Sequence, residues 1–203
     1  MQLAFEPGGQ RLLTRDSAGT VKVWDRMEER LLFSLGDATN RVLAAAFSPT
    51  NGQLATCTAD GQVQLWDWVG RGVPAEPDIG ESRNGSPGTV RPTYLLKQVL
   101  KLAERQLTIS TLVFSPDGRW LAGADGGQTV RVWDAANGAD FMTLTNCPAP
   151  VIGLAFGSQG DTLVIRSAST YSPQLKGWSQ WIWGNRIKLD EDFCLIGFPS
   201  PGG

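Results

Sequence analysis

Apolar and polar residues alternate along this chain in short runs, rather than recurring at every third or fourth position. In TVKVWD (20–25), QVQLWD (62–67) and TVRVWD (129–134), every second residue is Val or Leu and the residues between are Lys, Gln or Arg. That two-residue period is the mark of a half-buried strand. Upstream stand Glu6-Pro7-Gly8-Gly9, Ser48-Pro49-Thr50-Asn51-Gly52 and Ser115-Pro116-Asp117-Gly118. These are turn signals, in which Pro presets φ and Gly or Asn accepts a positive one. The pattern predicts a chain of short strands joined by tight turns.

The pattern also repeats. Segments 3–25, 45–67, 112–134 and 154–179 align, and in the first three a Phe precedes a Trp by 19 residues: Phe5 to Trp24, Phe47 to Trp66, Phe114 to Trp133. Phe156 to Trp178 is 22, which predicts three residues added within STYSPQ. Phe-to-Phe steps are 42, 67 and 42, so the middle step is one 42-residue unit plus 25 extra residues. A further apolar pair sits at constant offsets before each later Phe: Phe33 and Leu35, Leu100 and Leu102, Met142 and Leu144. Constant offsets predict a strand in each unit; the competing reading of LLKQVLKLAE is an amphipathic helix.

The 203 residues suffice for one domain, with about 9,300 Å² of folded surface against about 31,700 Å² extended. Apolar residues are 41% and charged ones 19%, a globular composition, and 24 Gly with 12 Pro fit many turns. A net charge of −2 supplies no general pull toward nucleic acid or anionic membrane. The interval 70–106 carries six basic residues against four acidic, a surplus too small for a typical nucleic-acid binder. No apolar run approaches the length of a membrane-spanning helix, and MQLAFEPGGQRLLTRD lacks the pattern of a secretory signal. With Cys57, Cys147 and Cys194 scattered and odd in number, reduced thiols and a cytoplasmic location are expected. The absence of histidine removes Ser-His-Asp and Cys-His catalysis, an imidazole base and the ordinary His-containing zinc site. No metal or cofactor is expected.

A strand, an SPDG turn, a second strand and a strand ending TVxVWD, at a period near 42, resemble the WD-repeat (β-transducin-like) propeller. The resemblance covers about residues 3–179. It implies an all-β fold of four four-stranded blades, a partial or half propeller, at about 3–35, 42–102, 109–145 and 151–190. The last outer strand is expected from Trp181–Leu189, a mobile loop insertion at 70–93, and a C-terminal tail at 191–203. Blades bury their faces only by stacking, so Trp24, Trp66, Trp133 and Trp178 are expected to fill the space between blades, each indole N–H seeking an acceptor. Asp25, Asp67 and Asp134 are expected to order the turn after their strand. The family's buried network of His, Asp, Ser/Thr and Trp is incomplete here. Ala38, Arg105 and Cys147 stand at the His position, and only Asp60 matches the network Asp, with Ala18 and Gly127 elsewhere.

Family members of this type usually close with about seven blades. Three arrangements therefore compete: part of a longer propeller, two copies paired into an eight-bladed ring, or an open arc. The resemblance implies a non-catalytic scaffold for protein–protein interaction. Contacts are expected on the top-face loops, with Arg15, Arg41 and Arg105 as candidates because Arg is enriched at interface hot spots. The alternative is a ligand-binding or catalytic propeller using its central channel. Inner strands reading AAAF, TLVF and GLAF supply no acidic or polar cluster for it.

Overall fold

The structure is a computed structural model. It describes residues 2–70, 94–100, 109–145, 147 and 150–168, and the backbone alone of 181–182, 185–186, 189–190 and 193–197. Four four-stranded antiparallel sheets account for nearly all of it. Sheet 1 is a meander of β1 (Gln2–Phe5), β2 (Arg11–Arg15), β3 (Val21–Asp25) and β4 (Arg30–Leu35). Sheet 2 repeats it with β5 (Val42–Phe47), β6 (Leu54–Thr58), β7 (Val63–Trp68) and β8 (Tyr94–Leu100). Sheet 3 does so with β9 (Thr111–Phe114), β10 (Trp120–Ala124), β11 (Val130–Asp134) and β12 (Asp140–Leu144).

The start of LLKQVLKLAE is therefore strand, not helix: β8 pairs with β7 from Val63–Leu100 to Trp68–Tyr94. The loop insertion expected at 70–93 lies, apart from Gly70, outside the described residues. Each outer strand carries a bulge beside the repeat Trp. The register steps between Val23 and Trp24, Leu65 and Trp66, and Val132 and Trp133. Leu32, Lys97 and Phe141 are the extra residues. Such bulges bend a strand and add twist, letting the outer strand wrap the neighbouring sheet.

Sheet 4 departs from the repeat. β13 (Val151–Phe156) and β14 (Thr162–Ser167) match their counterparts, and then β15 (Trp181–Ile182) and β16 (Asn185–Arg186) form a separate two-stranded ribbon. The third place, beside β14, is taken by β18 (Phe193–Gly197), and the outer place by β17 (Leu189–Asp190). Residues 193–197 are thus a strand within the stretch expected as a tail. The order of the last two strands is reversed relative to the other sheets. FCLIG is a continuous β-favouring run that can complete a full ladder with β14, from Thr162–Gly197 to Arg166–Phe193. Trp178 lies outside the described residues.

The sheets stack through one repeated contact. Each sheet's Trp-bearing face meets the other face of the sheet before it. Leu13, Val21 and Val23 of sheet 1 pack on Ala45, Leu54 and Trp66 of sheet 2. Ala55, Val63 and Leu65 of sheet 2 pack on Leu112, Leu121 and Trp133 of sheet 3. Ala122, Val130 and Val132 of sheet 3 pack on Leu163 and Ile165 of sheet 4. The first-strand turns stack as well. Gly118 has φ 71°, and a Cβ there would run into Thr50 Oγ1 and Ser48 Oγ of the preceding turn. Its glycine is needed for both conformation and room.

Candidate interaction surface

Backbone bonds knit one rim at two of the seams between sheets. Val42 N–H donates to Gly19 O (2.8 Å) across sheets 1 and 2, and Val151 N–H to Gly127 O (2.7 Å) across sheets 3 and 4. Two of the candidate arginines lie at the first of these seams. Arg41, exposed, donates through Nε to Ala18 O (3.0 Å) and through Nη2 to Ser17 O (2.9 Å). Arg15, half-buried, donates through Nη1 to Val42 O (3.2 Å). Both guanidiniums therefore brace neighbouring sheets before they meet any partner. Arg105 lies outside the described residues.

The loops beside them are held by carboxylates. Asp37 Oδ1 accepts from the N–H groups of Thr39 (2.7 Å) and Asn40 (2.8 Å) and from the Thr39 hydroxyl (2.5 Å). Asp16 Oδ1 accepts from Thr20 N–H (2.9 Å). These donors favour the ionised form and hold both carboxyls below the ordinary value of 3.8, the Thr39 hydroxyl leading for Asp37 and the Thr20 N–H for Asp16. Above 3.8 the stabilisation from both is fully present; it is lost as pH falls through the lower, folded-state values. Carboxyl-carbon NMR titration should place both midpoints below 3.8, and a Thr39→Val change should move Asp37 back up.

The repeat tryptophans divide by what their indole N–H meets. Trp24 Nε1 donates to Thr14 Oγ1 (3.0 Å) and Trp66 Nε1 to Thr56 Oγ1 (2.9 Å). Ten residues before Trp133 stands Gly123, and Trp133 Nε1 is buried with no acceptor among the described residues. Thr14 and Thr56 were legible at that constant offset. Asp60 Oδ1 accepts from the Thr58 hydroxyl (2.5 Å) and Gln62 N–H (3.2 Å), a bond within its own turn. Asp25 accepts from Met27 and Glu28 N–H, and Asp134 from Ala136 N–H, each in the turn after its strand. Asp67 differs. The chain continues as strand to Trp68, so there is no tight turn to order, and its Oδ1 accepts instead from Gln53 Nε2 (2.7 Å).

A cluster with no signal in the sequence lies on the opposite rim of the first seam. Arg11, buried at 8% exposure, forms a bidentate pair with Glu6 through Nε and Nη2 and donates through Nη1 to Tyr94 Oη (2.6 Å). Its guanidinium lies 4.1 Å from the Trp68 ring centroid. Tyr94 Oη also bonds Gly52 O (3.3 Å), and burial pushes its hydroxyl pKa upward. Beside Arg11 opens a cleft of about 370 Å³, lined also by Gln10, Asp25, Met27, Leu32 and Trp68. That lining pairs no nucleophile with a base. Cys57, wholly buried, has its thiol pushed up to about 12 by desolvation, so it is not a thiolate near neutrality.

A family model described as "WD domain, G-beta repeat" matches residues 29–67 and 97–134. Target of rapamycin complex subunit wat1 of Schizosaccharomyces pombe is 28% identical over 156 residues, 64% of this chain and 49% of that protein. Periodic tryptophan protein 2 of Arabidopsis thaliana is 25% identical over 197 residues, 87% of this chain and 21% of that one. A WD repeat-containing protein of Synechocystis is 27% identical over 163 residues, 80% and 39% respectively. The chain thus spans from about a fifth to a half of these relatives. Residues 29–67 and 97–134 thus match WD repeats, and they sit on sheets that stack through one recurring tryptophan face, the all-β arrangement of a partial WD propeller.

Proposed function

We propose that the chain is a non-catalytic scaffold that docks another protein, in the cytoplasm, on the rim where the β2–β3 and β4–β5 loops meet. The observation that carries this reading is the bracing of that rim. Arg41 and Arg15 tie two sheets together through backbone carbonyls, Asp37 holds its loop by three donors, and Asp16 holds its loop through Thr20 N–H. A surface ordered in advance loses little conformational entropy on binding. Arg15 and Arg41 are the proposed contacts there, and Arg105, in the segment between β8 and β9, is proposed as a third. The relative from S. pombe is by its name a subunit of a complex, which agrees with a docking role.

The test is affinity purification of the tagged chain from its native cells, followed by titration of the recovered protein against variants. Arg41→Glu and Arg105→Glu should each weaken binding about 30-fold, the equivalent of a hot spot of about 2 kcal/mol. Arg26→Glu, on the opposite rim, should leave it unchanged. Unaltered affinity in both the Arg41 and Arg105 variants, with melts unchanged, overturns the assignment.

A further inference from the structure

An asparagine followed by glycine loses its side-chain amide readily, because no Cβ keeps the next backbone nitrogen away from the carboxamide carbon. The chain has three such pairs: Asn51-Gly52, Asn137-Gly138 and Asn84-Gly85, the last outside the described residues. Both described asparagines are exposed, and each side chain curls onto its own turn. Asn51 Oδ1 accepts from Gln53 N–H (3.1 Å) and Asn137 Oδ1 from Ala139 N–H (2.8 Å). Each donor polarises the carboxamide and meets the oxygen that gains negative charge when a nucleophile adds at Cγ.

The two pairs differ at the peptide group that supplies the nucleophile. Gly138 N–H donates to Asp134 O (2.7 Å) and Asn137 O accepts from Gln98 Nε2 (2.5 Å), so that peptide is held at both ends. Gly52 N–H has no acceptor among the described residues. The order of residues in its turn explains this. The turns that open at Glu6, Ser48, Ser115 and Gly157 are equal in length, each closed by an N–H bonded to the carbonyl five residues on. In three of them the positive-φ glycine is the fourth residue (Gly9, Gly118, Gly160) and donates back to the first carbonyl at 2.8–2.9 Å. In SPTNGQ the glycine is the fifth residue, Gly52 with φ 68°, and Asn51 takes the fourth place. A buried N–H left without a partner is rare in a folded chain, and no hydrogen bond has to break before this one reacts.

The geometry points to Asn51 as a site of spontaneous covalent modification, with Asn137 protected from it. Gly52 N adds to Asn51 Cγ, and its proton passes through water to the departing nitrogen. The Cγ–Nδ2 bond breaks, ammonia leaves and a five-membered succinimide remains. Water then opens the ring at one carbonyl to give aspartate, or at the other to give isoaspartate, whose main chain runs through Cβ. Isoaspartate lengthens the backbone by one carbon directly before Gly52. The carbonyl of Gly52 accepts from Tyr94 Oη (3.3 Å), and a Cβ on it would run into Arg11. The modified turn therefore loosens the seam between sheets 1 and 2 at Arg11, on the rim opposite the proposed docking loops, and does not depend on that function.

Peptide mapping by mass spectrometry of the 203-residue chain, aged near neutral pH, tests this. In the folded chain Asn51 should lose its amide about three- to ten-fold faster than Asn137, the effect of one hydrogen bond on a barrier. In urea the two rates should converge, since both asparagines precede glycine. Equal rates in the fold, or a faster Asn137, overturn the inference. So does a difference that persists in urea, which would trace it to neighbouring residues rather than to the turn. The isoaspartyl form, separated by ion exchange, should melt below the unaged chain, whereas Asn51→Asp, which adds the charge without the longer backbone, should not. An Asn51→Asp variant that melts as low as the isoaspartyl form overturns the consequence for the seam.

Discussion

Trp133→Ala should lower stability by about 3–5 kcal/mol, the range for deleting a large buried aromatic. For a chain of this size that is a fall of about 6–20 °C in Tm. Trp133 is 1% exposed and sits between Val63 and Leu65 of sheet 2 and Leu121 of its own sheet. Its ring also comes close enough that a Cβ at Gly123 would lie 3.0 Å from it, so the site is filled on the near side as well. Trp66→Ala should be costly for the same reason, but less so, because Trp66 is only half-buried.

The phenylalanine variants separate packing from hydrogen bonding. In Trp66→Phe the bond to Thr56 Oγ1 is lost and that hydroxyl forfeits a partner. In Trp133→Phe the group removed is an N–H with no acceptor among the described residues, and burying such a donor costs about 1–3 kcal/mol. Trp133→Phe should therefore be milder than burial alone would suggest. Equilibrium urea unfolding of the four variants gives the comparison. A Trp133→Ala loss below about 1 kcal/mol would show that the seam between sheets 2 and 3 is not packed as described.

The second large effect is expected at Arg11. Arg11→Ala should cost about 3–5 kcal/mol, because it leaves Glu6, whose side chain is only 12% exposed, with its carboxylate unpaired in the seam. It also strips Tyr94 Oη of a donor and Trp68 of the cation stacked on it. Replacing both charges in Glu6→Gln/Arg11→Met should recover much of the loss, since desolvation of the pair offsets its attraction. A double-mutant cycle measures that coupling, and additive losses would refute it. Raising the pH should weaken the same seam. Tyr94 stays protonated in the fold above 10, where the unfolded chain ionises, so stability falls as pH rises through its folded-state value.

How much of this was legible depends on the distance over which each contact acts. The SPDG turns, the strands and the Trp spacing follow from neighbours within one repeat, and the constant offset of Phe33 and Leu35, repeated downstream, pointed to a strand at β8. The pairing with β7 is what excluded a helix over 95–100; Leu102 lies outside the described residues. The bonds from Trp24 to Thr14 and from Trp66 to Thr56 were open to the same arithmetic. Arg15 and Arg41, read as candidate contacts on the top-face loops, also spend donors on carbonyls 27, 23 and 24 residues away, which no local pattern marks.

Local alternation and turn chemistry in the amino-acid order thus determined that this protein is built of tryptophan-bearing sheets, because a two-residue period and a positive-φ glycine leave few other choices. Tertiary structure alone decided which residues hold the sheets to one another. Arg11 reads in sequence as a solvated charge, and only the approach of Tyr94, 83 residues on, makes it a buried anchor. Likewise, FCLIG becomes the third strand of sheet 4 only because β14 presents a free ladder of backbone groups, and unpaired backbone takes whichever β-favouring segment reaches it.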